Sequence, residues 1–311
     1  MSVLVTGASG FIGSYVVEAL AAQGIETHAV ARKLPEAIRD GVSWHQVDLL
    51  SPGDGVAMMR ALQPKRWIHL AWVTEPGVYW ESEKNPDWLS ASLNLLNAFV
   101  HANGQHVVMA GTCAEYDWRN STCVEDVTPI RATSLYSVSK LALWQVASRL
   151  AYNAGLSFAW ARLFNLYGPG EASQRVVAAM VQAALRKQNL QLGHGEQVRD
   201  FLYVSDAAQA LVKLSTERVT GAYNVASGAP VTPRRIAQVI DEQIGGTGGF
   251  EFGARLLNAN EPASLVADVT RIRRMTNWVP STSLEDGISL SIDWWRKRVA
   301  RCGLPEAWDK P

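Results

Sequence analysis

The stretch Val3-Leu4-Val5-Thr6-Gly7-Ala8-Ser9-Gly10-Phe11-Ile12-Gly13 decides the fold of this chain. Its β-branched start is typical of a buried parallel strand, which is apolar on both faces. From Phe11 onward the apolar spacing becomes helical, so the three glycines fall in a strand-to-helix turn. Glycines there let the backbone turn tightly and approach a pyrophosphate, while free N–H groups at the helix start face the anion. The predicted cofactor-binding residues of this turn are Gly7, Ser9, Gly10, Phe11, Ile12 and Gly13.

Predicted strands and helices alternate over roughly the first half of the chain. Such alternation is typical of a doubly wound parallel sheet with right-handed crossovers, that is, a Rossmann-type α/β fold. We expect residues 1–166, with a return at about 201–225, to form an NAD(P)-binding domain. Residues 167–200 and 226–311 then form a smaller, mostly C-terminal α/β domain that binds the substrate. The segment 72–87 is too irregular for one element and predicts a substrate lid.

Composition excludes several classes of protein. The 311 residues are 48% hydrophobic, which is enough for a large core. Lysine plus arginine and aspartate plus glutamate both total 29, so no charge excess indicates nucleic acid or a membrane surface. The chain opens directly on a strand without a leader, and no apolar run approaches the roughly 20 residues of a membrane span. Three cysteines and six histidines show no metal-ligand spacing. We therefore expect a cytoplasmic protein without a metal site.

The end of the second predicted strand bears on the choice of cofactor. In dinucleotide-binding folds an acidic residue there binds the adenosine ribose, whereas a nearby arginine accommodates a 2′-phosphate. Here the strand ends in Val30-Ala31-Arg32-Lys33, with two cations and no carboxylate. Charge complementarity favours NADP over NAD, unless Arg32 and Lys33 are ordinary surface charges. Asp48, after the third predicted strand, either binds the adenine amino group or caps the following turn.

Tyr136 and Lys140 are four residues apart and therefore share one face of a predicted helix. A neighbouring ammonium lowers the pKa of a phenol from its usual value of about 10, which allows proton exchange with a carbonyl or alcohol oxygen. Such pairs are also common as surface decoration. Thr112 adds a hydroxyl directly after the fifth predicted strand, at the sheet edge where ligands bind, although a turn hydroxyl bonded to local backbone is the alternative.

Further motifs follow in order along almost the whole chain: Asp48-Leu49, His69 to Ala71, Thr112 to Tyr116, Tyr136 to Lys140, Arg162 to Pro169, Arg199 to Asp206, Tyr223 to Gly228 and Trp278 to Pro280. Together with the glycine turn they resemble the extended short-chain dehydrogenase/reductase family, in its epimerase and reductase branch that acts on nucleotide-diphosphate sugars. The resemblance implies a catalytic Thr112, Tyr136 and Lys140. It implies that Asn165 and Arg199, with Thr112, contact the sugar nucleotide, and that the helices from Asp87 and Tyr136 pair two subunits. The further cofactor contacts are Asp48, Leu49, Leu70, Ala71, Trp72, Tyr136, Lys140 and Leu163.

The chain departs from the family pattern in three places. Dehydratases of the family carry an Asp-Glu pair after the catalytic hydroxyl residue, where this chain has Cys113-Ala114, so elimination is not expected. Trp88 stands where the family often has asparagine. Trp72 stands where an alanine usually follows His-Leu-Ala, and it is expected to reshape the nicotinamide or sugar pocket. Like Trp80 and Trp118 it falls in a predicted loop, where lining a cleft is as plausible as core packing.

The sequence therefore predicts NADPH-dependent reduction of a keto group, at C4, on a nucleotide-diphosphate 6-deoxy sugar. Tyr136 donates the proton, Lys140 tunes Tyr136 and holds the ribose, and Thr112 orients the carbonyl oxygen. The alternative within the family is a 4-epimerase with tightly held NAD, which the missing carboxylate after the second strand disfavours. A cofactor-sensing protein without turnover is a more remote alternative, because a sensor needs no acid–base tyrosine.

Overall fold

A computed structural model describes residues 2–36, 41–246, 249–255 and 261–302. The strands in these ranges are β1 (Val3–Thr6), β2 (Thr27–Ala31), β3 (Val42–Gln46), β4 (Arg66–His69), β5 (His106–Thr112), β6 (Thr122–Cys123), β7 (Ser157–Leu163), β8 (Asn165–Tyr167), β9 (Asn189–Leu192), β10 (Val198–Tyr203), β11 (Gly221–Val225), β12 (Pro230–Val231), β13 (Gly249–Phe252) and β14 (Ser264–Ala267). The helices are α1 (Phe11–Ala22), α2 (Asp54–Leu62), α3 (Lys84–His101), α4 (Leu135–Asn153), α5 (Val176–Arg186), α6 (Val204–Thr216), α7 (Pro233–Ile244), α8 (Thr270–Thr276) and α9 (Leu284–Cys302).

Seven parallel strands form the central sheet, in the order β11-β7-β5-β4-β1-β2-β3. Because β1 pairs with β2 on one side and β4 on the other, the direction of winding reverses there, as in a doubly wound fold. Side chains of β1 alternate between the faces: Val3 and Val5 join the core cluster under α1 and α6, and Leu4 joins the one under α3 and α4. The predicted Rossmann-type architecture is confirmed.

A smaller sheet lies beside the first, in the order β12-β10-β14-β6, with β8 also paired to β10. Helices α5, α7 and α9 pack together over a third core cluster, and β9 and β13 form a separate parallel ribbon. The chain passes between the sheets more than once, since α6 packs on α1 and β11 joins the central sheet after β10. The domain boundaries stay a prediction. None of the helices in the described ranges is long and apolar enough to span a membrane.

The segment after β4 is shorter than predicted. Helix α3 begins at Lys84 rather than Asp87, because Pro86 falls in its first turn, where the missing N–H has no helical partner to lose. A 3₁₀ turn at Tyr79–Glu81 precedes it. The Asn85 amide donates to the carbonyl oxygens of Tyr79, at 2.8 Å, and Ser82, at 2.9 Å. These contacts fasten the segment to the helix that follows it.

Candidate active site

The glycine turn between β1 and α1 is packed too tightly for side chains. Gly7 has a φ of +76°, and a Cβ there would lie 2.7 Å from the backbone nitrogen of Ala71. A Cβ on Gly13 would lie 2.1 Å from the Gly7 carbonyl oxygen. Because Gly10 at the N-cap has no side chain, it leaves the first N–H groups of α1 open to an anion. The turn therefore fits the pyrophosphate of a dinucleotide.

A cleft of about 1610 Å³ runs along the carboxyl edge of the central sheet, where parallel sheets bind ligands. Two of the predicted cofactor residues, Lys33 and Asp48, do not line it. The Asp48 Oδ1 atom accepts a hydrogen bond from the Leu50 N–H at 3.0 Å, which is the turn-capping alternative. The predicted site residues that line the cleft are Gly7, Ser9, Gly10, Phe11, Ile12, Gly13, Arg32, Leu49, Leu70, Ala71, Trp72, Thr112, Tyr136, Lys140, Leu163, Asn165 and Arg199.

The end of β2 is the part of the cleft that would meet an adenosine ribose. The strand ends at Ala31, which supplies no carboxylate, and the exposed Arg32 follows in the cleft wall. The Gln46 side-chain amide donates to the Arg32 carbonyl oxygen at 3.2 Å and so ties this backbone to β3. A guanidinium at this place suits a phosphate better than a ribose hydroxyl pair.

Thr112, Tyr136 and Lys140 meet in the middle of the cleft. Thr112 is the last residue of β5, and a hydrogen bond joins its side chain to the Tyr136 hydroxyl. Ser134 caps α4 by accepting from the Ser137 N–H at 3.1 Å, which starts the helix directly before the tyrosine. One turn on, the Lys140 ammonium donates to the Ala110 carbonyl oxygen at 2.9 Å. The structure thus brings the three predicted catalytic side chains together.

The electrostatics of Tyr136 differ from the sequence prediction. Burial raises the pKa of the phenol above its usual value, and the hydrogen bond from Thr112 only partly offsets this. The ring lies edge-on to Tyr79, at 4.9 Å between centroids, and to Trp80, at 5.8 Å. The predicted net lowering of this pKa is wrong, because burial of the phenol outweighs the groups that favour the phenolate. Tyr136 is therefore a protonated phenol at neutral pH.

Lys140 is itself buried beneath two tryptophans. Its ammonium nitrogen lies 3.8 Å from the centre of the Trp72 ring, and Trp88 stacks on Trp72 at 6.4 Å. The Trp72 indole N–H donates to the Asn85 side-chain oxygen at 2.8 Å, which fixes the ring. Burial lowers the pKa of Lys140 to about 7, although the negative charge of Glu115 opposes this change. The two tryptophans that depart from the family pattern thus form one stack over Lys140.

Two of the three residues predicted to contact the sugar nucleotide line the cleft from the smaller sheet, Asn165 on β8 and Arg199 on β10. The Asn165 amide donates to the Asp200 carbonyl oxygen at 3.1 Å. Arg199 is buried, and its guanidinium donates to Glu261 at 3.0 Å and to the Val198 carbonyl oxygen at 2.9 Å. Glu261 also lines the cleft, so the arginine predicted to bind a diphosphate is paired with a carboxylate.

Several cleft residues were not predicted from the sequence. Glu171 is buried, which raises the pKa of its carboxyl to about 8, and Arg175 lies 5.4 Å above the Tyr79 ring. Both follow the Gly168-Pro169-Gly170 turn in an irregular segment, where no spacing pattern marks a site. Aromatic side chains also line the cleft, and the ring centres of Trp80 and Trp118 lie 6.1 Å apart. The tryptophans in predicted loops were the sequence signal for this lining.

Comparison with known proteins shows which family this chain resembles. A model of the family described as "NAD dependent epimerase/dehydratase family" matches residues 3–226. UDP-glucuronic acid decarboxylase 2 from Arabidopsis thaliana is 27% identical over an alignment of 316 residues that covers 96% of this chain and 69% of that protein. A structure of MoeE5 in complex with UDP-glucuronic acid and NAD is 30% identical with a TM-score of 0.83, covering 96% of this chain and 100% of that one. A Thermus thermophilus UDP-glucose 4-epimerase in complex with NAD is 27% identical with a TM-score of 0.83, covering 95% and 99%.

Proposed function

This chain belongs to the NAD-dependent epimerase/dehydratase family, and from that premise we propose that it uses NADPH to reduce a C4 keto group of a nucleotide-diphosphate 6-deoxy sugar. The family resemblance predicted from the sequence is confirmed. The observation that carries the finer proposal is the end of β2, where Ala31 replaces an acidic residue and Arg32 lines the cleft. A site built for NADPH favours net reduction, because an epimerase restores its own cofactor while a reductase exchanges it at each turnover.

The residues of the cleft fit a dinucleotide. The glycine turn and the start of α1 would hold the pyrophosphate, and Arg32 would hold the 2′-phosphate. Lys140 would contact the nicotinamide ribose. When bound, the reduced nicotinamide supplies a hydride to the carbonyl carbon.

The proton comes from the protein. Tyr136 is a protonated phenol at neutral pH, which is the form that a general acid needs to protonate a developing alkoxide. Thr112, hydrogen-bonded to the phenol, is placed to orient the carbonyl oxygen toward that proton. The ammonium of Lys140, on the same helix face, stabilises the phenolate that remains after transfer.

The aromatic residues around Tyr136 favour a 6-deoxy sugar as the substrate. Tyr79, Trp80 and Trp118 present aromatic surface there, which suits a methyl group at C5 of the sugar better than a charged group. Cys113 and Ala114 line the cleft where the family's dehydratases carry acids. The adjacent Glu115 is fully buried and hydrogen-bonded to protein groups, so it does not replace them. The two positions that hold the acidic pair of those dehydratases therefore carry no carboxyl group in this chain.

The purified protein should oxidise NADPH when a nucleotide-activated 4-keto-6-deoxy sugar is added, with one reduced sugar formed per NADPH consumed. The assay follows reduced-nicotinamide absorbance and identifies the sugar product. Isomerisation of a nucleotide hexose without net redox, with NAD retained through purification, would instead identify a 4-epimerase, which the NAD-bound epimerase structure favours. Cofactor binding without turnover of any sugar would identify a sensor.

Replacing Arg32 tests the cofactor proposal. Arg32→Ala should weaken NADPH binding about ten- to a hundredfold and leave NADH binding nearly unchanged, since a charge-assisted hydrogen bond contributes roughly 1.5–3 kcal/mol. Fluorescence titration of both cofactors measures this. Lys33→Ala is the matched control, because Lys33 is adjacent but lies outside the cleft lining. Equal affinities of the wild-type protein for the two cofactors would contradict the proposal.

Replacing Arg199 tests the substrate end. Arg199→Ala should raise KM about ten- to a hundredfold with a much smaller effect on kcat, because it removes a phosphate contact and leaves Glu261 facing the anion unpaired. Steady-state kinetics measures both constants. Arg234→Ala, which removes a half-exposed arginine outside the cleft, is the control. An unchanged KM with collapsed kcat would move Arg199 to the reacting centre.

We also propose which part of the chain binds each ligand, and that the protein forms a homodimer. Residues 1–166 and about 201–225 would bind the cofactor, and residues 167–200 and 226–311 the sugar nucleotide. Of these ranges, residues 1, 37–40, 247–248, 256–260 and 303–311 lie outside the described residues. A homodimer would form through α3 and α4, which pack side by side and leave Val138 and Val146 of α4 exposed.

A further inference from the structure

Glu115 lies directly under the catalytic residues and is fully buried. Its carboxylate accepts hydrogen bonds from the Thr112 N–H at 2.9 Å, the Trp160 indole N–H at 3.0 Å and the Arg162 Nε at 2.8 Å. A Cβ on Gly111 would lie 2.2 Å from the Trp160 indole nitrogen and 2.8 Å from a Glu115 oxygen. Only glycine at this position therefore leaves room for the Trp160–Glu115 hydrogen bond. A buried charge with this many partners is a built feature of the fold.

The first consequence concerns Thr112. Its N–H donates to Glu115 Oε1 while its Oγ1 accepts from the Ala114 N–H at 3.2 Å, which forms a reciprocal capping box around the turn Cys113–Glu115. The box fixes the backbone and the rotamer of the threonine. Because the same side chain is hydrogen-bonded to Tyr136, Glu115 sets the position of a hydroxyl that touches the catalytic phenol.

The second consequence concerns the charge of Lys140. The groups that face this site include His69, whose pKa is lowered by burial to about 3, and Cys113, whose pKa is raised by burial to about 12. Both are uncharged at neutral pH, as is Tyr136. Among the described residues, Glu115 is the anion whose field acts on Lys140 and opposes the loss of its proton.

We propose that Glu115 is a positioning residue, which aligns Thr112 through the capping box and holds a negative charge beside the end of β5, where the Lys140 ammonium is bound to the Ala110 carbonyl oxygen. This inference rests on the proposed function only in taking Lys140 as part of the working site. An alternative reading, in which Glu115 merely neutralises Arg162 in the core, predicts effects on stability alone.

The test compares the wild-type protein with Glu115→Gln. The kcat of the wild type should decline as pH rises through about 7, where Lys140 loses its proton. In Glu115→Gln that decline should move about one pH unit lower, because removing an opposite charge lowers the pKa of an ammonium. At pH 7, turnover should then fall by about fivefold, because a shift of the pKa from about 7 to about 6 lowers the protonated fraction of Lys140 from about one half to about one eleventh.

A second readout does not need activity. The pKa of Lys140 is about 7 in the folded protein and 10.5 in the unfolded chain. Between these two pH values the unfolded chain holds the proton and the folded protein does not, so the free energy of unfolding of the wild type rises with pH. Lys140→Met lacks this group and should not show the rise. In the Glu115→Gln background this rise should begin about one pH unit lower. If no sugar is reduced by the wild-type protein, the proposed function fails while this measurement still decides the role of Glu115.

Two further variants guard against a trivial loss of folding. Glu115→Gln with Arg162→Gln removes the unpaired guanidinium, and it should regain stability but keep the shifted profile. Glu125→Gln removes another buried carboxylate, which accepts from the Asn224 N–H at 2.6 Å, and it should leave the profile unshifted. Unshifted profiles in folded Glu115→Gln, or the same shift in Glu125→Gln, would overturn the inference.

Discussion

Tyr136→Phe is expected to lower kcat by about 10²–10⁴-fold while cofactor affinity stays nearly unchanged, because general acid catalysis contributes that much to a rate. The substitution removes one oxygen and keeps the ring, which packs edge-on against Tyr79 at 4.9 Å and Trp80 at 5.8 Å. Folding should therefore be intact. Initial rates at saturating substrate measure kcat, and fluorescence titration measures cofactor binding.

Tyr152→Phe is the matched control for that experiment, since Tyr152 lies on the same helix with 76% of its surface exposed. It should retain wild-type turnover. Near-normal turnover in Tyr136→Phe would falsify the proposed acid and leave Tyr136 a packing residue. A loss of both turnover and thermal stability would show that the phenol hydroxyl and its bond to Thr112 hold the site together instead.

The parts of the site that the sequence predicts are those set by local spacing. The glycine turn needs a strand, three glycines and a helix in succession, and Tyr136 and Lys140 need one helical turn between them. The structure places all of these in the cleft. Thr112 was found because the end of a parallel strand faces the ligand edge. Each of these inferences uses residues close together in the chain.

The remainder depends on residues far apart in the sequence. Arg199 and Glu261 are 62 residues apart in the sequence and form an ion pair. No periodicity in the sequence predicts this contact. Burial raises the pKa of Tyr136, and Tyr79 and Trp80 pack against its ring. An argument from one helix face does not include these neighbours. From the sequence, Arg32 and Lys33 were equal candidates for binding the 2′-phosphate. In the structure only Arg32 lines the cleft, because neighbouring residues after a strand point in different directions.

Burial of Lys140 also links activity to stability. Burial removes water from the ammonium, and the Ala110 carbonyl, the Trp72 ring and the Glu115 carboxylate replace it in part. The lowered pKa shows that this replacement is incomplete, because a charged group as well solvated as in water would keep its ordinary value. A site that needs this charge therefore reduces the stability of the fold, as is common where catalysis requires a buried ion.

Lys140→Met should accordingly abolish most activity and stabilise the protein. We expect kcat and cofactor affinity both to fall at least tenfold, because in the proposed mechanism the ammonium stabilises the phenolate and contacts the ribose. The free energy of unfolding at pH 7 should rise by about 1–4 kcal/mol, since a methionine of similar length fills the site without a buried charge. Kinetics, cofactor titration and urea unfolding measure the three quantities.

The pH dependence makes this last prediction specific. Below about pH 7 folded Lys140 carries its charge and the full cost of burying it, so the advantage of the variant is greatest there. As pH rises from about 7 toward 10.5 the folded lysine is neutral while the unfolded one stays charged, and the advantage shrinks. Lys213→Met, at a half-exposed lysine paired with Glu217, should show no such trend. A Lys140→Met protein less stable than the wild type at pH 7 would mean that the ammonium is fully compensated where it lies.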